Sequence, residues 1–94
     1  MNKDNIDRII KMEKYYDLLL KTIKECPKKI IEDKFIIKIK NELISYYESK
    51  QWLIDYELDE KDLLPNELKR GVLSQDGIYN LLIDINEIEK YYKE

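Results

Sequence analysis

Large aliphatic and aromatic side chains recur at intervals of three and four along most of this chain, and that spacing restricts it to packed helices. Ile9, Met12, Tyr16, Leu19, Ile23 and Cys26 form one stripe of an amphipathic helix predicted over residues 4–26. Asp7 with Lys11, and Asp17 with Lys21, stand four apart in the favourable acid-first order. Asn2 or Asp4 is expected to cap the start. Pro27 ends the helix, because it lacks an amide proton and biases Cys26 away from helical angles. Ile36, Ile39, Leu43 and Tyr46 repeat the stripe in a second helix, predicted from Lys28 or Lys29 to Glu48 and widened by Ile37, Ile44 and Tyr47. The run IIEDKFIIKIK would also suit a strand, but no second strand is available to pair with it. The short join predicts an antiparallel hairpin.

Ser49 is placed to cap a third, shorter helix over residues 50–59, with Trp52 and Tyr56 on one face and Asp55 and Asp59 on the opposite side. A loop with one helical turn follows, with Pro65 at a first helical position and Gly71 as a left-handed stop. Ser74 caps the last helix, Asp76 suits its dipole, and Ile78, Leu81, Ile85, Ile88 and Tyr92 form its stripe. The expected fold is all-α: one helical domain over residues 1–94, with an N-terminal antiparallel hairpin, a short third helix and a C-terminal helix.

Composition supports that architecture. Fifteen Ile, twelve Leu and eight Tyr are far too many apolar side chains for a disordered chain, and 94 residues fit one core. Two Gly and two Pro are too few for the turns of an all-β fold. Ala is absent and Val occurs once, a bias that reads as an AT-rich bacterial or phage genome and leaves the core to Ile, Leu and Tyr. No stretch reaches the length of a membrane span, the N-terminus is too charged for a signal peptide, and the chain reads as cytoplasmic.

The inventory also limits chemistry. There is no His, hence no ordinary general base near neutral pH and no imidazole metal ligand. The single Cys26 excludes an internal disulfide and is expected to be a buried structural thiol. No phosphate-binding glycine loop, zinc motif or calcium loop is present. Paired carboxylates such as Asp55 and Asp59 could bind a metal on a helix, but the helical sites of that kind use a Glu-x-x-His pair. No catalytic residue, metal site or cofactor is expected, and the chain is read as a non-enzyme.

Charge is unevenly placed. Residues 1–50 carry a net +3 and residues 51–94 a net −6. Asp55, Glu57, Asp59, Glu60 and Asp62 crowd together with only Lys61 between them, either as a solvated face or as a docking surface for a basic partner. Lys69 and Arg70 could fold back on them. The lysines of the hairpin invite a nucleic-acid reading, but Glu25, Glu32 and Asp33 interrupt them and Arg occurs only twice.

The stretch YYESKQWLIDYELDEKDLLPNELKRGVLSQDGIYNLL, residues 46–82, resembles the small bacterial family known as domain of unknown function 4298. The matching residues are Trp52, Asp55, Tyr56 and Glu57, then Leu64, Pro65, Leu68 to Ser74, Asp76, Tyr79, Leu81 and Leu82. The resemblance implies a small cytosolic helical protein and brings no catalytic residues. The long Ile/Lys-rich second segment departs from the usual pattern. In size, acidity and lack of chemistry the chain also resembles, more loosely, the small helical anti-CRISPR inhibitors of mobile elements.

Within the motif, Trp52 and Tyr56 either cap the core or, with Tyr79 and Arg70, form an exposed aromatic and Arg patch of the kind that anchors interfaces. Arg70 is a candidate for a bidentate bond to Asp55 or Glu57. The candidate partner-binding residues are Trp52, Asp55, Tyr56, Glu57, Asp59, Asp62, Arg70 and Tyr79. The expected function is a protein-binding module, in its most specific form an inhibitor of a nucleic-acid-handling defence effector such as an RNA-targeting CRISPR nuclease. The expected partner is a basic protein. The alternatives are a homo-oligomer held by Tyr and Ile stripes left exposed on the hairpin, and a nucleic-acid binder through the lysine-rich hairpin.

Overall fold

Pro27 and Asp33 divide the N-terminal half of the chain. In the computed structural model, which describes residues 3–93, α1 spans Lys3–Glu25. Its stripe buries Ile9 and Leu19 fully, with Met12, Tyr16 and Ile23 packed against them. The predicted Asn2 cap lies outside the described residues, and Asp4 sits inside the first turn rather than before it. Cys26 follows the helix and is exposed, not buried as expected: the chain is already turning over Pro27, and the Lys29 amide reaches back to the Cys26 carbonyl at 3.0 Å.

The second predicted helix is two. A single turn, α2 (Lys29–Glu32), buries Ile30, and α3 (Lys34–Tyr47) restarts after Asp33. Asp33 leaves the helical region, with φ −84° and ψ 114°, and its carboxylate accepts from the amides of Phe35 at 2.9 Å and Ile36 at 3.2 Å. A short carboxylate that can cap competes with continuing the helix, and here capping wins. The α3 stripe Ile36, Ile39, Leu43 and Tyr46 is buried as predicted. α3 runs antiparallel to α1: Lys11 meets Glu42 near one end and Leu18 lies with Ile36 near the other.

Ser49 caps α4 (Lys50–Glu60), accepting from the Trp52 amide at 3.4 Å. α4 ends in a Schellman motif. Asp62 adopts φ 58°, its amide reaches the Asp59 carbonyl, and the Leu63 amide reaches the Leu58 carbonyl at 2.9 Å. Residues 64–70 then form turns rather than the expected helical turn, and Gly71 is not left-handed. It opens a 3₁₀ turn, Gly71–Leu73, that buries Val72 and Leu73. A Cβ on Gly71 would lie 3.2 Å from Glu13 Oε2 and from Tyr16, so the requirement there is close approach. Ser74 Oγ accepts from the Gly77 amide at 3.1 Å and starts α5 (Gln75–Lys93).

α5 lays Ile78, Leu81 and Ile85 against α1, α2 and the 3₁₀ turn, while Tyr92, at the end of the predicted stripe, is exposed. Lys40 on α3 meets Glu89 at 2.7 Å and fixes the far end of α5. The result is a small all-α bundle, elongated to 46 × 21 × 20 Å, with no strand among the described residues. None of its described helices is long and apolar enough to cross a membrane.

Candidate protein-docking surface

Trp52 and Asp55, three residues apart on α4, both turn inward. Asp55 is fully buried, and a buried carboxylate is stable only when its charge is met. Arg8 meets it with two hydrogen bonds, Nε to Oδ2 at 3.0 Å and Nη2 to Oδ1 at 2.7 Å. The Tyr46 hydroxyl donates to Oδ2 at 2.6 Å. This bidentate fork orients α1 against α4. The hydrogen bond to Asp55 raises the pKa of Arg8 despite the opposing effect of burial. Burial first, and the bond to Asp55 second, push the Tyr46 hydroxyl far above the ordinary tyrosine range.

The Val72 peptide is held on both sides. Its amide donates to Glu13 Oε1 at 2.7 Å and its carbonyl accepts from Trp52 Nε1 at 3.0 Å. The Trp52 ring is stacked on Tyr56 at 5.1 Å and met edge-on by Tyr47 at 5.0 Å. Tyr56 is half-buried, and its bond to Glu60 raises its pKa.

Arg70 bonds Asp59, at 2.7 Å, and not the predicted Asp55 or Glu57, because Asp55 lies in the interior and already holds Arg8. Arg70 Nη2 also donates to the Pro65 carbonyl at 2.7 Å. Arg70 therefore ties the loop to the end of α4. Lys69 does not fold back on the acidic run; it pairs with Asp17 on α1 at 2.8 Å, which raises its pKa.

These contacts redistribute the predicted partner-binding residues. Trp52 and Asp55 are interior and cannot touch a partner; their hydrogen bonds are needed by the fold. Asp59 and Arg70 are half-buried and engaged with each other. Glu57 and Asp62 are exposed, as is Tyr79 at 59%. The outward face of α4 combines Leu53 and Ile54, 51% and 47% exposed, with Glu57 one turn and Glu60 about two turns further on. Among the described residues, Glu57, Glu60 and Asp62 form no ion pair with a lysine or arginine.

Sequence reasoning missed Arg8, Glu13 and Tyr46 as partners in these clusters. The signal for Glu13 was present: it stands four after Ile9 and three before Tyr16, a charge inside an apolar stripe. No described residues form a group of three or more Cys, Asp or Glu able to hold a metal ion. Several grooves flank α1. One, about 700 Å³ and wide open, runs along α3 past Arg8, Lys34 and Lys38. Another, about 420 Å³, lies between α1 and the 65–69 loop and is mainly apolar.

Glu13, Trp52, Asp59, Arg70 and Val72 all fall within one sequence pattern, that of the domain of unknown function DUF4298, which matches residues 9–94. The chain belongs to the DUF4298 family. Its DUF4298 region takes in each of the contacts around Val72 and Arg70, while Arg8 lies one residue outside it. No curated protein and no solved structure matches the chain.

Proposed function

We propose that this DUF4298 protein is a non-enzymatic binding module that docks on a basic protein through the outer face of α4. One observation carries the reading: large exposed aliphatic side chains, Leu53 and Ile54, share the outer side of α4 with Glu57, and Glu60 and Asp62 follow towards and past its C-terminal end, all three carboxylates with no ion-pair partner among the described residues. Apolar anchors supply affinity and uncompensated charge raises the association rate. Asp62 adds support, because a left-handed Asp where Gly would be easier is a strain that function can explain. In its most specific form the partner is a nucleic-acid-handling effector, such as an RNA-targeting CRISPR nuclease, whose basic groove accepts these carboxylates in place of phosphates.

The test compares the wild type with the Glu57→Lys, Glu60→Lys, Asp62→Lys triple variant. RNA cleavage by such a nuclease is expected to be inhibited by the former only, with equal melting temperatures. Equal inhibition by both rejects the acidic docking face. A second reading, self-association, moves from the hairpin to α5, where Tyr79 and Ile83, one turn apart, are 59% and 41% exposed. Light scattering that finds a monomer at high concentration rejects it.

A further inference from the structure

The groove between α1 and the loop of residues 65–69 has the chemistry to hold a long basic side chain. Ile6 and Ile10 line it from α1, and Pro65 and Leu68 from the loop. Glu13 contributes a carboxylate and is only 6% exposed. Oε1 of Glu13 takes the Val72 amide, and Oε2 has no hydrogen-bond partner among the described residues. No buried side-chain oxygen or nitrogen among them is left without a partner, so Oε2 is reached by solvent. Glu13 is among the residues that line the groove.

We infer that this groove receives a Lys or Arg side chain of the partner protein, an inference that rests on the docking reading above. The alkyl stem would lie on the four apolar residues while the charged head meets Glu13 Oε2, the division that long basic side chains adopt at apolar surfaces. Charge favours a cation: Lys69 and Asp17 pair at 2.8 Å, which leaves Glu13 and Glu67 against Lys14 in the lining, a net of one negative charge. Arg70 links Pro65, in the wall of the groove, to Asp59 near the end of α4, each at 2.7 Å, so one partner could reach both.

The probes are Nα-acetyl-arginine methylamide and its lysine counterpart, followed by methyl NMR at Ile6 and Ile10. Nα-acetyl-norleucine methylamide and putrescine serve as comparisons. Saturable shifts are expected for the two basic probes at millimolar concentration, with the norleucine probe about fivefold weaker or more, as loss of one charge-assisted bond requires. Glu13→Gln keeps an acceptor for the Val72 amide and is expected to weaken the basic probes by a similar factor, about fivefold. Ile10→Lys, at an exposed wall position, places a cation of the chain's own beside Glu13 and is expected to block them too, should Glu13→Gln fail to fold.

Equal affinity for norleucine, absence of shifts at Ile6 and Ile10, or indifference to both substitutions overturns the inference. Tighter binding of putrescine than of the blocked residues assigns the groove to a free amine and overturns it as well, as does Glu13-dependent dimerisation. The two proposals fail separately. Failure of the probes, with the α4 reversals still abolishing inhibition, removes only the groove; Glu13-dependent probe binding, with α4 reversals that leave inhibition intact, removes the docking face.

Discussion

Glu13 and Val72, 59 residues apart, are joined by a 2.7 Å hydrogen bond from the Val72 amide to the Glu13 carboxylate. On the other side of the same residue the Val72 carbonyl takes the Trp52 indole N–H at 3.0 Å. A buried 3₁₀ turn has backbone groups that its own few residues cannot satisfy. Here α1 and α4 supply the missing acceptor and donor, so the turn docks only where both helices are in place.

Trp52→Phe keeps most of the ring contacts with Tyr47 and Tyr56 and removes the donor. The Val72 carbonyl is then buried without a partner, at a cost of about 1–3 kcal/mol. For a domain of this size each 1 kcal/mol lowers the melting temperature by roughly 4–8 °C. Thermal unfolding followed by circular dichroism checks the loss; an unchanged melt would show that the indole bond contributes nothing net.

Arg8 is the larger liability. Arg8→Met leaves Asp55, fully buried, with only the Tyr46 hydroxyl. Breaking a buried ion pair from one side costs about 3–5 kcal/mol, a large share of a small domain's stability. Adding Asp55→Asn removes the stranded charge, so the double variant is expected to be more stable than the sum of the single losses predicts. Urea midpoints of the four proteins in the cycle measure the coupling, and simple additivity would refute the pairing as a stability determinant.

The hairpin, the Ser49 and Ser74 caps and the α5 stripe were legible because each depends on residues near one another in sequence. What was not legible depends on pairing across the fold. Glu13 sits on the apolar stripe of α1, and only the distant Val72 amide explains it. By its sequence neighbourhood Asp55 belongs to an acidic surface run, whereas Arg8, 47 residues earlier, takes it inside. Arg70 was rightly expected to find a carboxylate, but which one was decided by Asp55 being occupied. Asp33 is the exception: its cap is local, with amides at 33+2 and 33+3, and the uninterrupted apolar pattern on either side concealed the break.

Tyr46 gives the fold a pH dependence with a definite sign. Burial and the bond to Asp55 raise its pKa above that of the unfolded chain. The protonated hydroxyl therefore stabilises the fold fully below the unfolded value of about 10. Above it the unfolded chain ionises first, and stability falls by about 1.4 kcal/mol per pH unit for this one group. Tyr46→Phe is expected to be less stable at neutral pH and to lose less on going alkaline. Denaturant midpoints across that range compare the two slopes; parallel curves would exclude Tyr46 as the cause.

Asp62 links stability to the proposed docking face. Its φ of 58° follows the end of α4, where the Leu63 amide turns back to the Leu58 carbonyl. Glycine takes that conformation without the Cβ penalty, so Asp62→Gly is expected to stabilise the protein by about 0.5–1 kcal/mol. The same change deletes one of the three carboxylates without an ion pair in the acidic run of α4 and its C-terminal end. Stability gained together with docking lost is the pattern of a residue kept for contact rather than for folding. The melting temperature and the inhibition assay are read on the same preparation. A variant that is more stable and equally potent removes Asp62 from the docking face, leaving Glu57 and Glu60 to carry it.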